Sequence, residues 1–150
     1  ADLEFAMDVN DDAGNGIPDG DTADANEDIR YAINGEDLGR ELGDAGGLQP
    51  FAENIDAIDF VYLAPDDAIA VDADTDMDVI PRPVAAANLG DIRVIEVTIV
   101  ARTDRRPWMS SHVDTQVYRN QRGTTIFGPA NDGFRRLLLT KTIHCRNMGL

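Results

Sequence analysis

Cysteine is nearly missing from this sequence. Cys145 stands alone in 150 residues, which excludes a disulfide within the chain and any zinc site built from several cysteines. Lysine is as scarce, with Lys141 the sole example, and there are two histidines and one tryptophan. No run of 18 apolar residues occurs, so no segment reads as a membrane-spanning helix. Nor does any segment show the apolar stripe of an amphipathic helix of three turns. Positive charge is in short supply. Thirteen Lys+Arg face 28 Asp+Glu, a formal charge of −15. That argues against nucleic acid as the main partner, because phosphate binding needs a cationic face.

What is present is an ordinary globular share of hydrophobic residues, 43%, in a length that fits one domain over residues 1–150. The charge is divided along the chain. Residues 1–28 hold ten acids and no base, and residues 64–80 hold six aspartates and no base. Residues 101–150 carry nine bases and three acids, +6, so the first 100 residues carry −21. A chain divided this way can dock a charged partner or stack head to tail with copies of itself. Equally, its two halves can face each other within one molecule.

The periodicity is that of strands. Leu3, Phe5, Met7 and Val9 alternate with acidic or small residues, and Ile29, Tyr31 and Ile33 alternate with Asp28, Arg30 and Ala32. Asn34-Gly35 then signals a turn. The two runs predict an antiparallel pair joined by a long acidic loop. Leu38, Arg40 and Leu42 share one side of a weaker strand, and Pro50 to Ile55 reads as a short turn or helix. Ile58, Phe60 and Tyr62 form the inward row of the next strand. Ile92 to Arg102 is the richest in Val, Ile and Thr, with Ile95, Val97, Ile99 and Ala101 on one face. In a last strand, Leu137, Leu139, Ile143 and Cys145 lie opposite Arg136, Thr140, Thr142 and His144. The fold class is therefore mainly β, built from antiparallel sheet. One apolar face needs a cover. Either two sheets close on each other, or a helix lying before Ala1 covers it.

The segment Asp8-Val-Asn10-Asp-Asp12-Ala-Gly14-Asn-Gly-Ile-Pro-Asp19-Gly-Asp21 carries the most distinctive chemistry. Calcium takes six to eight oxygen ligands on a flexible loop. Asp8, Asn10 and Asp12 have the 1-3-5 spacing of an EF-hand loop, Asp19 falls at its twelfth position, and Gly14 permits a tight turn. Asn15-Gly-Ile-Pro-Asp19 resembles the aspartate-rich calcium repeats of thrombospondin type 3 modules. Against this, Ala13 stands where an EF-hand needs glycine, and the preceding element reads as a strand. The metal candidates are Asp8, Asn10, Asp12, Gly14, Asp19 and Asp21 with Ca2+; the other reading is a solvated acidic loop. Asp72, Asp74, Asp76 and Asp78 alternate, so an extended backbone puts all four carboxylates on one face. They form a second metal candidate, against an exposed loop.

Arg102, Arg105, Arg106 and Trp108 gather arginine with an aromatic residue, a candidate interaction patch for an anionic partner. The other reading pairs these arginines with acids of the same chain or of a neighbour. No catalytic residue is nominated. His144 and Cys145 are adjacent on a strand and point to opposite faces, so they form no nucleophile–base pair. Gly35-x-x-x-Gly39 and Gly43-x-x-Gly46-Gly47 do not both follow a strand and open a helix, as a phosphate loop requires.

Phe134-Arg-Arg-Leu-Leu-Leu-Thr-Lys-Thr-Ile-His-Cys-Arg-Asn147 resembles the final strand of the PilW-family minor pilins of type IV pili. Four further segments fit that family in order. They are Leu3 to Val9, Ile29 to Ile33 followed by Leu38-Gly-Arg40, Gln49 to Ile55 followed by Ile58 to Tyr62, and Ile92 to Val97. The related J-type pseudopilin of type II secretion ends similarly. The resemblance implies a pilin-like head whose cleavable leader and long apolar N-terminal helix are not among these residues, with an α+β fold once that helix is counted. It implies a structural, non-enzymatic subunit acting in filament initiation or at the tip. Its partners would be other minor pilins or pseudopilins and the major pilin. Its place would be the periplasm, anchored in the inner membrane before assembly, then a cell-surface filament of a Gram-negative bacterium. The alternative is a calcium-dependent extracellular adhesin or carbohydrate-binding β-domain. The acidic loops at 8–28 and 64–80 depart from the family pattern.

Overall fold

Alternation of apolar and polar residues leads directly to antiparallel sheet in this chain. The computed structural model describes residues 2–6, 28–43, 47–66, 68–69, 76–107 and 111–145. Strands β1 (Asp2–Ala6), β2 (Asp28–Asn34), β3 (Asp37–Leu42) and β4 (Gln49–Ala52) form an antiparallel meander in chain order. Leu3 lies opposite Tyr31 and Phe5 opposite Ile29, the pairing expected from the two alternating runs. A two-residue turn joins β2 to β3, and Gly35 enters it at φ 68°, a conformation that favours glycine. Over Gln49–Ala52 the chain is a strand on β3, not the expected turn or helix, because its N–H and C=O groups find an open edge there.

The second sheet holds β5 (Ile55–Leu63) and β6 (Val94–Arg102). Next in the chain are two short strands, β7 (Tyr118–Arg119) and β8 (Thr125–Phe127), which pair with each other as a ribbon. The last strand, β9 (Arg136–His144), completes the second sheet in the order β5-β6-β9. One 3-10 helix, Ala86–Asp91, precedes β6, so the strand starts at Val94 and not at Ile92. No α-helix occurs among the described residues, and none of their helices is long and apolar enough to cross a membrane.

Directly opposed residues of an antiparallel pair share a face. One face of the second sheet therefore carries Ile58, Phe60 and Tyr62 from β5, Ile95, Val97 and Ile99 from β6, and Leu137, Leu139, Lys141 and Ile143 from β9. The first sheet packs against the β5 end of this face. Leu38, Ile58, Phe60, Tyr62, Ile80 and Ile92 form the main core there, joined by Leu3, Tyr31 and Ile33. The cover thins across the sheet. The β6 row is half-buried, and on β9 Leu137 is 60% exposed and Leu139 and Ile143 are each 46% exposed. Closure of two sheets thus accounts for only part of the apolar face.

The opposite face is the surprise. Val94, Glu96, Thr98 and Val100 of β6 are buried, with Asp59, Val61 and Leu63 of β5 beside them. The excursion between β6 and β9 folds back over this face and covers it with Tyr118, Asn120 and Arg122. Periodicity alone marks this row as the outer one. It is inside because its polar atoms are matched one by one.

Candidate functional site

Arg136, the first residue of β9, is the centre of the most highly organised cluster. Its side chain is 2% exposed. Nε donates to Asp56 Oδ2 at 2.6 Å, and Nη1 donates to Asp114 Oδ2 at 3.0 Å and to Asp132 Oδ1 at 2.7 Å. Nη2 donates to Asp132 Oδ2 at 2.8 Å, so the Asp132 carboxylate is held by the two-pronged fork that arginine presents. The Tyr118 hydroxyl donates to Asp114 Oδ2 at 3.0 Å. The Phe127 ring lies 5.0 Å from the guanidinium carbon. Local turns aim the two loop carboxylates. Asp114 accepts from the Gln116 N–H and Asp132 from the Phe134 N–H, each two residues on.

Charge follows from this geometry. The Arg136 guanidinium holds the Asp132 carboxyl down at about 2. Burial pushes the Asp114 carboxyl up, but the Gln116 N–H, Arg136 and Tyr118 together outweigh it and leave it below its ordinary value. Burial first, and the Asp114 carboxylate second, push the Tyr118 hydroxyl up to about 12. Hydrogen bonding to Asp132 keeps Arg136 charged more firmly than usual, against the cost of its burial. The arrangement is an ion cluster that ties the 103–135 excursion to the sheet. It offers no free base or nucleophile.

Of the candidate interaction patch, the structure draws Arg102 inward. Its side chain is 10% exposed, paired with Glu36 and set 3.7 Å from Asp56 Oδ1. Arg105 points outward beside Asp104, at 3.3 Å. Arg102 and Arg106 place their guanidinium carbons 4.5 and 5.1 Å from the centre of the Phe134 ring. Arg106 also lines an open cleft of about 530 Å³ with His112, Asn131 and Asp132. Trp108 lies outside the described residues.

The metal candidates Asp8, Asn10, Asp12, Gly14, Asp19 and Asp21 all lie outside the described residues, as do Asp72 and Asp74. Asp78 is buried, and its carboxylate accepts from the Ile69 N–H at 2.9 Å while its carbonyl accepts from the Ala64 N–H. It therefore fastens the 64–80 loop to the end of β5. Among the described residues no group of three or more His, Cys, Asp or Glu side chains could hold a metal ion.

Four more bonds organise the covered face. Asp59 accepts from Arg82 Nη1 at 2.7 Å and from Asn120 Nδ2 at 2.8 Å. Arg122 grips Glu96 with Nε at 3.0 Å and Nη2 at 3.1 Å. Sequence reasoning missed these pairings, and Arg136 with them. The available signals were Asp114 and Asn131-Asp132-Gly133, which have the composition of side-chain-bonded turns. Cys145 packs at the edge of the main core, as a small apolar residue does.

The remaining surface of note is the uncovered part of the apolar face, the row Leu137, Leu139 and Ile143 with half-buried Ile95, Val97 and Ile99 beside it. No protein-family model, curated protein or solved structure matches the chain.

Proposed function

We propose that the chain is the head of a structural filament subunit, a minor pilin of the PilW type or a J-type pseudopilin, acting in initiation or at the tip. The observation that carries this reading is the uncovered apolar face on β6 and β9. A fully buried Leu or Ile contributes about 1.5–3 kcal/mol relative to an exposed one, so three left in water are a standing drive for association. An apolar helix laid across β6 and β9 would complete the core that the first sheet closes over β5 and part of β6. In a filament, that helix would hold the subunit in the inner membrane before assembly and in the filament afterwards.

The sequence segments that resemble PilW-family minor pilins map onto β1, β2–β3, β4–β5, β6 and β9 in order. The reading assigns no catalytic role to any residue. Ca2+ bound by the loop over residues 8–21 would stiffen the link from β1 to β2. The function is tested by Leu139→Glu in the gene, with surface filaments counted by electron microscopy. Filaments should be lost while the purified variant melts within about 2 °C of the parent. Filaments of normal number and length would refute the reading.

A further inference from the structure

We propose that the outer edge of β9 receives an extended strand from a neighbouring subunit, one whose side chains alternate apolar residues with carboxylates. β9 is nine residues long and, among the described residues, pairs only with β6. The end of the other edge, at Tyr62 to Ala64, is covered. Leu63 bridges to Val79, and the N–H groups of Ala64 and Ile80 bond to the carbonyls of Asp78 and Tyr62.

The orientation of the free edge follows from two bonds. The Cys145 N–H donates to the Arg93 carbonyl at 2.8 Å, and the Thr103 N–H donates to the Arg135 carbonyl at 2.9 Å. An antiparallel ladder alternates, so the odd-numbered residues of β9 face β6. The N–H and C=O groups of Leu138, Thr140, Thr142 and His144 therefore point outward. Proteins usually blunt such an edge with proline, a bulge or a short strand. β9 has no proline, and its register with β6 runs from Arg136 to His144 without a shift.

One residue does restrict pairing, and it names the partner. Lys141 stands in the apolar row, exposed and without an ion-pair partner among the described residues. It repels a basic strand and resists an all-apolar one, but accepts a strand that sets a carboxylate beside it. Residues 135–145 include Arg135, Arg136 and Lys141 and no acid. Two copies joined β9 to β9 would bring like-charged edges together. Pairing uses the backbone edge of β9, whereas a docked helix uses the Leu137, Leu139 and Ile143 side chains; Lys141 lies in that same row, so Thr140→Pro tests the strand alone and Leu139→Glu the helix alone.

The probe is a synthetic peptide with the sequence from Asp2 to Val9, in which Leu3, Phe5, Met7 and Val9 alternate with residues that include three acids. It is titrated into the 150-residue chain while amide hydrogen exchange is followed. Binding with Kd below about 1 mM is expected, with slowed exchange at Leu138, Thr140, Thr142 and His144. Thr140→Pro removes an outward N–H and no bond to β6, so it should weaken binding about tenfold or more. Thr140→Val, which keeps that N–H, should bind as the parent does. Lys141→Glu, which leaves the backbone untouched, should also weaken binding. Absence of binding, or equal binding by the Thr140→Pro and Lys141→Glu variants and the parent, overturns the proposal.

Discussion

On one face of the β5–β6–β9 sheet, charged and polar side chains are buried and individually matched. On the other, leucine and isoleucine stand in water at the β9 end. Glu96, Asp59 and Arg136 are inside because Arg122, Asn120, Arg82 and three aspartates meet them at hydrogen-bond distance. Leu137, Leu139 and Ile143 are outside because the first sheet reaches only as far as β5 and part of β6. Polarity by itself therefore does not say which side of a strand is covered. Directional bonds from a folded-back segment can draw in a polar row and leave an apolar one to be completed by something else.

The largest way to break this comparison is Arg136→Met. It leaves the carboxylates of Asp56, Asp114 and Asp132 without their common cation. Removing one member of a buried ion cluster costs about 3–5 kcal/mol, which urea unfolding should show as a lower midpoint. Acid should reproduce part of that loss. Asp132 and Asp114 are more acidic folded than unfolded, so the stability they contribute is present above about pH 4 and declines as pH falls toward 2. Urea titrations across that range should show the decline in the parent and a flatter curve in Arg136→Met. Tyr118 has the opposite sign. Its hydroxyl is raised to about 12, so its contribution holds below pH 10 and is lost between about pH 10 and 12. Tyr118→Phe should flatten the alkaline limb.

Smaller effects sharpen the contrast. Arg122→Ala unpairs Glu96 but acts through a side chain 38% exposed, so a loss of roughly 1 kcal/mol is expected by urea unfolding. The smallest effect should come from the open face. Leu137→Thr, at a residue already 60% exposed, should change the stability of the isolated chain by less than about 1 kcal/mol. Combined with Leu139→Thr and Ile143→Thr, it should leave a chain that binds markedly less of an apolar dye such as ANS.

Much of the fold was legible because β1, β2 and β6 alternate over five residues or more, and β5 and β9 carry apolar residues at every second position, Ile58, Phe60 and Tyr62 in one and Leu137, Leu139 and Ile143, interrupted by Lys141, in the other. β4 and β8 have four and three residues, too short for a period to register, and exist because a neighbouring edge accepts them. The open apolar face was half legible. The residues of the row were evident, but which end the first sheet covers depends on packing between sheets. The Arg136 cluster was not legible. Asp56 lies 80 residues from Arg136 in the chain, and no local pattern couples them. Asp114 and Asp132 are ordinary turn residues; that their turns aim both at one guanidinium is a property of the tertiary fold.

The measurement that tests the account most directly is photo-crosslinking from two positions of the full gene product in its own cell. A photoreactive residue at Leu139 probes the open face, and one at Arg119, on the excursion over the opposite face, probes the covered side. The account predicts that Leu139 yields an adduct whose partner peptide is a long apolar helix, while Arg119 yields none with it. Equal labelling from both positions, or no helix adduct from Leu139, would contradict it.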